Sequence, residues 1–126
     1  MQQENRNATA LRTAVKILKK WQASEEQIEA VLKVSGSIYK GENQDDEESA
    51  TDLDKNQLQR ISMVLNIHAA LRTVFENPKN LYAFPSMKND NTFFNGKTPL
   101  EVISQGGLAD LQGTLNSIES LKNAAW

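Results

Sequence analysis

This chain of 126 residues has a single histidine and no cysteine, and the pattern around its candidate reactive residues argues against covalent chemistry. A general base needs a nucleophile or a carboxylate within hydrogen-bond reach. The single histidine, His68, falls on the apolar stripe of a helical pattern with no such partner indicated by spacing, so it reads as a packed or surface-grazing imidazole. The acidic run at residues 45–48 lacks the glycine and alternating oxygen ligands of a calcium loop and reads as a solvated loop. Gly106 and Gly107 follow a helical segment instead of opening one after a strand, unlike a phosphate-cradling loop. Without cysteine there is neither a disulfide framework nor a thiolate metal site. These residues exclude an enzyme, and no cofactor or metal is expected. What remains is the chemistry of recognition.

Cations come first. In a helix-turn-helix, early residues of the second helix meet base edges while nearby basic groups neutralise phosphates. Ser35, Ser37 and Lys40 are the available readers, and Lys19, Lys20 and Lys33 are candidates for phosphate contact. Residues 1–40 hold seven Lys/Arg against four Asp/Glu, whereas residues 41–54 hold seven acids and no base, so charge is segregated along a chain of net charge −2. Gly36 weakens the second helix by about 1 kcal/mol relative to alanine, and the acidic run from Glu42 repels phosphate. Two readings stay open: an element that binds operator DNA, or a remnant kept for packing and dimerisation.

The elements that position these groups read as helices throughout. Leu11, Ala14, Val15, Leu18 and Trp21 recur at helical spacing over residues 8–21, with Arg12, Lys16, Lys19 and Lys20 elsewhere, and Trp21 ends this helix against the core. Ser24 and Gln27 form a capping box for a helix from Glu25 to about Leu32 that buries Ile28, Val31 and Leu32. Lys33, Val34 and Ser35 then make a turn of helix-turn-helix length. Residues 41–52 read as a solvated acidic loop. Asp54 with Gln57 starts the longest helix, whose stripe is Leu58, Ile61, Val64, Leu65, His68, Leu71, Val74 and Phe75, and Leu58 is placed to staple back onto Leu53. Asn77 and Pro78 end it, and Asn77 caps a short turn of helix carrying Leu81 and Tyr82. The last helix has an apolar seam of Leu108, Leu111, Leu115, Ile118 and Leu121. No segment alternates with the period of a strand, so the fold class is all-α.

The most specified stretch is residues 91–108. Thr98 is an N-cap, Pro99 sits at the first helical position, and Glu101 falls where a capping-box carboxylate reaches back. Gly106 or Gly107 supplies the left-handed conformation that closes the helix, and Leu108 opens the next apolar series. The pattern Phe94-x-Gly96-x-x-Pro99-Leu100-x-x-Ile103-x-x-Gly106, followed by a Leu-rich helix, resembles the toxin-binding domain of the Xre/MbcA/ParS antitoxin family. The likeness continues upstream through Leu53, Gln57, Arg60 and Ile61, then Ile67, Ala70, Leu71, Val74 and Phe75, and covers roughly residues 17–121.

The resemblance implies a helix-turn-helix-like N-terminal part, residues 1–76, packed on a small helical toxin-binding domain, residues 77–126. It implies an antitoxin that neutralises a cognate RES-type toxin by occluding its active site, with autorepression of its operon as a second role. NAD would be the toxin's substrate and not a cofactor of this chain. Toxin contacts are expected from Phe93, Phe94, Gly96, Lys97, Pro99 and Leu100, and from the terminal Lys122, Asn123, Ala124, Ala125 and Trp126. Of Phe93 and Phe94, one can instead fill the core, and Lys97 can be a solvated turn residue. Trp126 either anchors in the partner or folds back on this chain. A homodimer is also expected. The alternative is a DNA-binding transcriptional regulator without a toxin partner. The length suits one domain or two small subdomains sharing a core. No signal region or apolar run of about 20 residues is evident, so the expected location is cytoplasmic, away from membranes.

Overall fold

The computed structural model describes residues 2–36 and 53–122, and the side chains of residues 6–36 and 53–121 within them. Its helices are α1 (Gln2–Lys20), α2 (Glu25–Leu32), α3 (Lys55–Val74), α4 (Pro78–Ala83), α5 (Pro99–Ile103) and α6 (Leu108–Lys122), with a 3-10 turn (Phe84–Ser86) after α4. Among the described residues there is no strand, and the fold is all-α. α1 begins well before the apolar pattern that starts at residue 8.

Short-range chemistry sets most helix ends. Ser24, Asp54 and Thr98 each accept a hydrogen bond from the backbone N–H three residues on, while the Gln27, Gln57 and Glu101 side chains accept from the cap N–H groups in return. Each such cap contributes on the order of 1 kcal/mol. α1 stops at Gln22, whose φ of +71° is left-handed. There the Ala23 N–H donates to the Leu18 carbonyl at 3.0 Å and the Gln22 N–H to the Lys19 carbonyl at 2.9 Å, the paired bonds of a Schellman ending. Lys33 ends α2 in the same left-handed region, at φ +57°. Asn77 caps α4 through the Lys79 N–H.

α3 is the central helix: it packs most extensively on α6 and next on α1, while α5 and the 3-10 turn close the far end. Facing neighbours on two sides, it buries Arg60, Met63, Ile67 and Ala70 as well as Ile61, Val64 and Leu71. Leu58, Leu65, His68 and Val74, expected in the middle of one stripe, lie at its half-buried margins. Phe75 is outside the helix, extended at its C-cap, with its ring 5.4 Å from that of Phe84. One apolar core joins Leu11, Leu18, Trp21, Ile28, Ile61 and Leu71 to Leu100, Ile103, Leu111 and Ile118, so it runs without interruption across residues 76 and 77. Each of these side chains contributes roughly 1.5–3 kcal/mol by leaving water.

The α2–α3 junction is polar. Gln57 donates its amide Nε2 to the Lys33 carbonyl at 2.7 Å, and Arg60 donates Nη1 to the Val31 carbonyl at 3.2 Å. The first turns of α3 therefore satisfy carbonyls at the end of α2 that have no partner within their own helix.

Candidate partner-binding face

The loop before α5 is closed on itself by main-chain bonds. The Asn89 N–H donates to the Lys97 carbonyl at 3.1 Å, and the Gly96 N–H donates to the Asn89 carbonyl at 2.7 Å. Inside this ring the Asn91 side chain accepts from the Phe94 N–H at 2.8 Å. The chain turns through consecutive left-handed residues, Asn95 at φ +52° and Gly96 at φ +87°. Asparagine and glycine are the residue types that tolerate this region. Thr98 follows at once as the cap of α5, and its backbone and hydroxyl hydrogen bonds hold the Glu101 carboxyl below its ordinary pKa. After α5 the chain passes through Gly106 at φ +90°, and Asp110 accepts from the Gly107 N–H to start α6.

This frame sorts the expected partner contacts into two groups. Phe94, Pro99 and Leu100 are buried, so they do not form the surface; they hold α5 and its loop against the core. Phe94 is the core aromatic. Phe93 is 40% exposed, and its ring stands edge-on to that of Phe94 at 5.2 Å. Lys97 is exposed and Gly96 partly so. Together with Phe93, Val102, Gln105 and Asp110, Lys97 borders a shallow recess of about 220 Å³. Lys122 closes α6, and Asn123, Ala124, Ala125 and Trp126 lie outside the described residues.

One contributor went unread in the sequence. A Cβ built at Gly113 of α6 would overlap the Phe93 ring, so the ring rests where a side chain would otherwise stand. The available signal was an isolated glycine inside a helical pattern, which often marks a close approach. Among the described residues, the large apolar side chains left exposed are Phe93 and Met87.

The N-terminal candidates are less united. Lys19, Lys20, Lys33 and Ser35 are exposed; Ser37 and Lys40 lie outside the described residues. The Lys20 Nζ sits 4.9 Å from the centroid of the Tyr82 ring, and Tyr82 contacts His68. Lys33 instead meets Gln57, and a Cβ at Gly106 would come within 2.8 Å of its Nζ. Gln57 and His68 are eleven residues apart on α3, about 16 Å along the axis at the rise of a helix, so Lys20 and Lys33 occupy different levels of the fold.

His68 is half-buried, with Nε2 3.4 Å from the Tyr82 hydroxyl. Loss of solvent, and then the cations of Arg72 and Lys20, hold its pKa below the ordinary 6.5. The unfolded chain thus binds a proton more readily than the folded one just below that value. Stability is expected to be level above about pH 6.5 and to fall as pH drops through the folded pKa. Urea midpoints between about pH 7.5 and 5.5 should show this slope, and His68→Asn should remove it; an unchanged slope in the variant would place its origin elsewhere.

Among the described residues no cluster of three or more His, Cys, Asp or Glu could hold a metal ion. Nor, among the described residues, is any helix long and apolar enough to cross a membrane. Comparison with protein-family models, curated proteins and solved structures finds no match.

Proposed function

We propose that this chain is a small antitoxin that binds a toxin of the RES type and covers its active site. The observation that carries the reading is the seated, half-exposed Phe93: its loop is closed by reciprocal main-chain bonds, joined directly to a capped helix, and set over a glycine of α6. An aromatic side chain presented this way reaches a partner with little ordering left to do on binding. Lys97 beside it adds a charged rim, and the sequence likeness assigns residues 122–126 to the same contact. The sequence likeness to the Xre/MbcA/ParS antitoxins supplies the partner class. Autorepression through the N-terminal turn would be a second activity of the same protein.

Co-expression with a RES-type toxin tests the proposal. The wild-type chain should co-purify with it and restore growth. Phe93→Ala should weaken the complex by roughly thirtyfold or more, the scale of an interface anchor. Gly113→Ala is the sharper probe. It should leave the fold as stable or more so, since alanine favours a helix interior by about 1 kcal/mol over glycine, yet lower affinity by displacing the ring. Deletion of residues 122–126 should abolish protection while helical content stays unchanged. Full protection by both Phe93→Ala and the truncated chain would sink the idea. No co-purification, together with salt-dependent binding to its own promoter, would favour a regulator without a toxin.

A further inference from the structure

Of the twelve asparagines, one is followed by glycine: Asn95, in the closed loop before α5. In such a pair the glycine nitrogen can attack the asparagine side-chain amide with no side chain in its way. The space here is open too, since a Cβ at Gly96 would meet nothing within 4 Å. The Asn95 carboxamide is exposed, and no hydrogen bond among the described residues holds it. Asn89 and Asn91 differ: their side chains accept the Asn91 and Phe94 N–H groups at 2.9 and 2.8 Å.

One bond opposes the attack. The Gly96 N–H, on the nitrogen that would be the nucleophile, donates to the Asn89 carbonyl at 2.7 Å. On either side the Asn89 N–H donates to the Lys97 carbonyl at 3.1 Å and the Asn95 N–H to the Asn91 carbonyl at 2.8 Å, which fixes the turn. A nitrogen held this way reacts, as it exchanges its proton, only in molecules whose loop has opened locally.

We propose that Asn95 is a site of spontaneous deamidation gated by this loop: it stays intact while the Gly96 N–H holds the Asn89 carbonyl, and converts when the loop opens. The Gly96 nitrogen gives its proton to hydroxide and bonds to Asn95 Cγ. The Cγ–Nδ2 bond breaks, and Nδ2 takes a proton from water and leaves as ammonia. One water then opens the resulting succinimide, restoring the main chain as aspartate if the N–Cγ bond breaks, or routing it through the side chain as isoaspartate if the bond to the main-chain carbonyl carbon breaks. Nothing is oxidised or reduced.

Both products alter the candidate face. Each places a carboxylate where Asn95 borders the recess it shares with Lys97 and Asp110. Isoaspartate also adds a methylene to the main chain, so the bonds joining Asn89 to Gly96 and Lys97 lose their register and Phe93 leaves its seat over Gly113. A partner seated on Phe93 would hold the loop closed by mass action, so the bound chain is preserved while the free chain ages. That last step rests on the function proposed above; the site itself does not.

The test is incubation of the full chain over several days at mildly alkaline pH. Trypsin, cutting after Lys88 and Lys97, then releases residues 89–97, which carry Asn89, Asn91 and Asn95 together. Mass spectrometry should find the amide-to-carboxyl change at Asn95 ahead of the other two, and isoaspartyl methylation should mark the aged chain. The same segment as a free peptide should react on the order of tenfold faster or more, having no loop to open. Asn91→Ala, which removes the bond to the Phe94 N–H, should speed the reaction roughly three- to tenfold, the opening gained by losing one hydrogen bond. Asn91→Asp keeps that acceptor and should hold the wild-type rate. Circular dichroism checks that each variant is folded. The proposal is overturned if Asn95 changes no faster than Asn89 and Asn91, if chain and free peptide react alike, or if Asn91→Ala and Asn91→Asp have equal rates. Excess RES-type toxin should slow the reaction at Asn95. A toxin that fails to bind the fresh chain would instead overturn the proposed function, since the site is read on the chain alone.

Discussion

Trp21→Ala is expected to remove about 3–5 kcal/mol of stability, the scale of truncating a buried aromatic. Trp21 has no exposed surface, and its place is fixed at both main-chain ends. Its N–H donates to the Ile17 carbonyl at 3.0 Å as α1 ends, and its carbonyl accepts from the Ser86 hydroxyl at 3.0 Å, tying α1 to the turn after α4. The indole therefore fills the space where the N-terminal helix meets the segment leading to the candidate face. Since a domain of this size has only about 5–15 kcal/mol in total, the variant should melt well below the wild type, or fail to fold at 37 °C. Trp21→Phe should be much milder. The indole Nε1–H is buried with no hydrogen-bond partner among the described residues, and such a group costs on the order of 1–3 kcal/mol. Phenylalanine removes that cost while leaving a smaller cavity, so the two effects oppose each other and the net loss should stay below about 1.5 kcal/mol. Urea midpoints followed by circular dichroism, with unchanged m, distinguish the cases. Equal damage from both substitutions would mean that the indole nitrogen does have a partner.

What could be read from the sequence follows the range of the interactions involved. The capping boxes at Ser24, Asp54 and Thr98 need only four consecutive residues, and all three form where the pattern places them. The left-handed stop after α5 is likewise local, with Gly106 taking it rather than Gly107. Which of two adjacent phenylalanines enters the core is not local. It depends on the twist of the closed loop, which turns Phe94 inward and sets Phe93 on Gly113, nineteen residues from Phe94 in the chain. Pro99 and Leu100 show the same limit: a motif that looks like a surface signature is largely the inner support of that surface. A single stripe suits a helix covered on one side, whereas α1 and α6 cover α3 on two, which is why Met63 and Ala70 are interior and Leu65 marginal. The contacts of Tyr82 with Lys20 and His68 join three helices far apart in sequence, and only packing on α3 brings them together.

Arg60→Met is expected to lower stability by roughly 2–3 kcal/mol, even though methionine preserves much of the volume and the helix propensity. Arginine is seldom buried without a reason, and at 6% exposure Arg60 has two. Its Nε donates to the Asn56 side chain at 2.7 Å, which holds the guanidinium in place, and Nη1 reaches the Val31 carbonyl at 3.2 Å. Val31 is in the last turn of α2, where carbonyls lack partners and the helix dipole is negative, so a cation there is favoured by both hydrogen bonding and charge. Methionine would leave the carbonyl of a fully buried residue unpaired. Arg60→Lys should fall between, because it keeps the charge but cannot reach Asn56 and Val31 together. Gln57, bonded to the Lys33 carbonyl, would still hold the end of the turn, so the damage should concentrate in α2 and leave the α3–α6 pairing intact. Hydrogen exchange distinguishes this from general loosening: protection at Ile28, Val31 and Leu32 should drop more than at Leu111, Leu115 and Ile118. A uniform loss across both groups would show that Arg60 supports the whole core instead of docking α2. Selective loss would make Arg60 the residue that sets the position of the turn at Lys33 and Ser35, and therefore of any contact that turn makes with DNA.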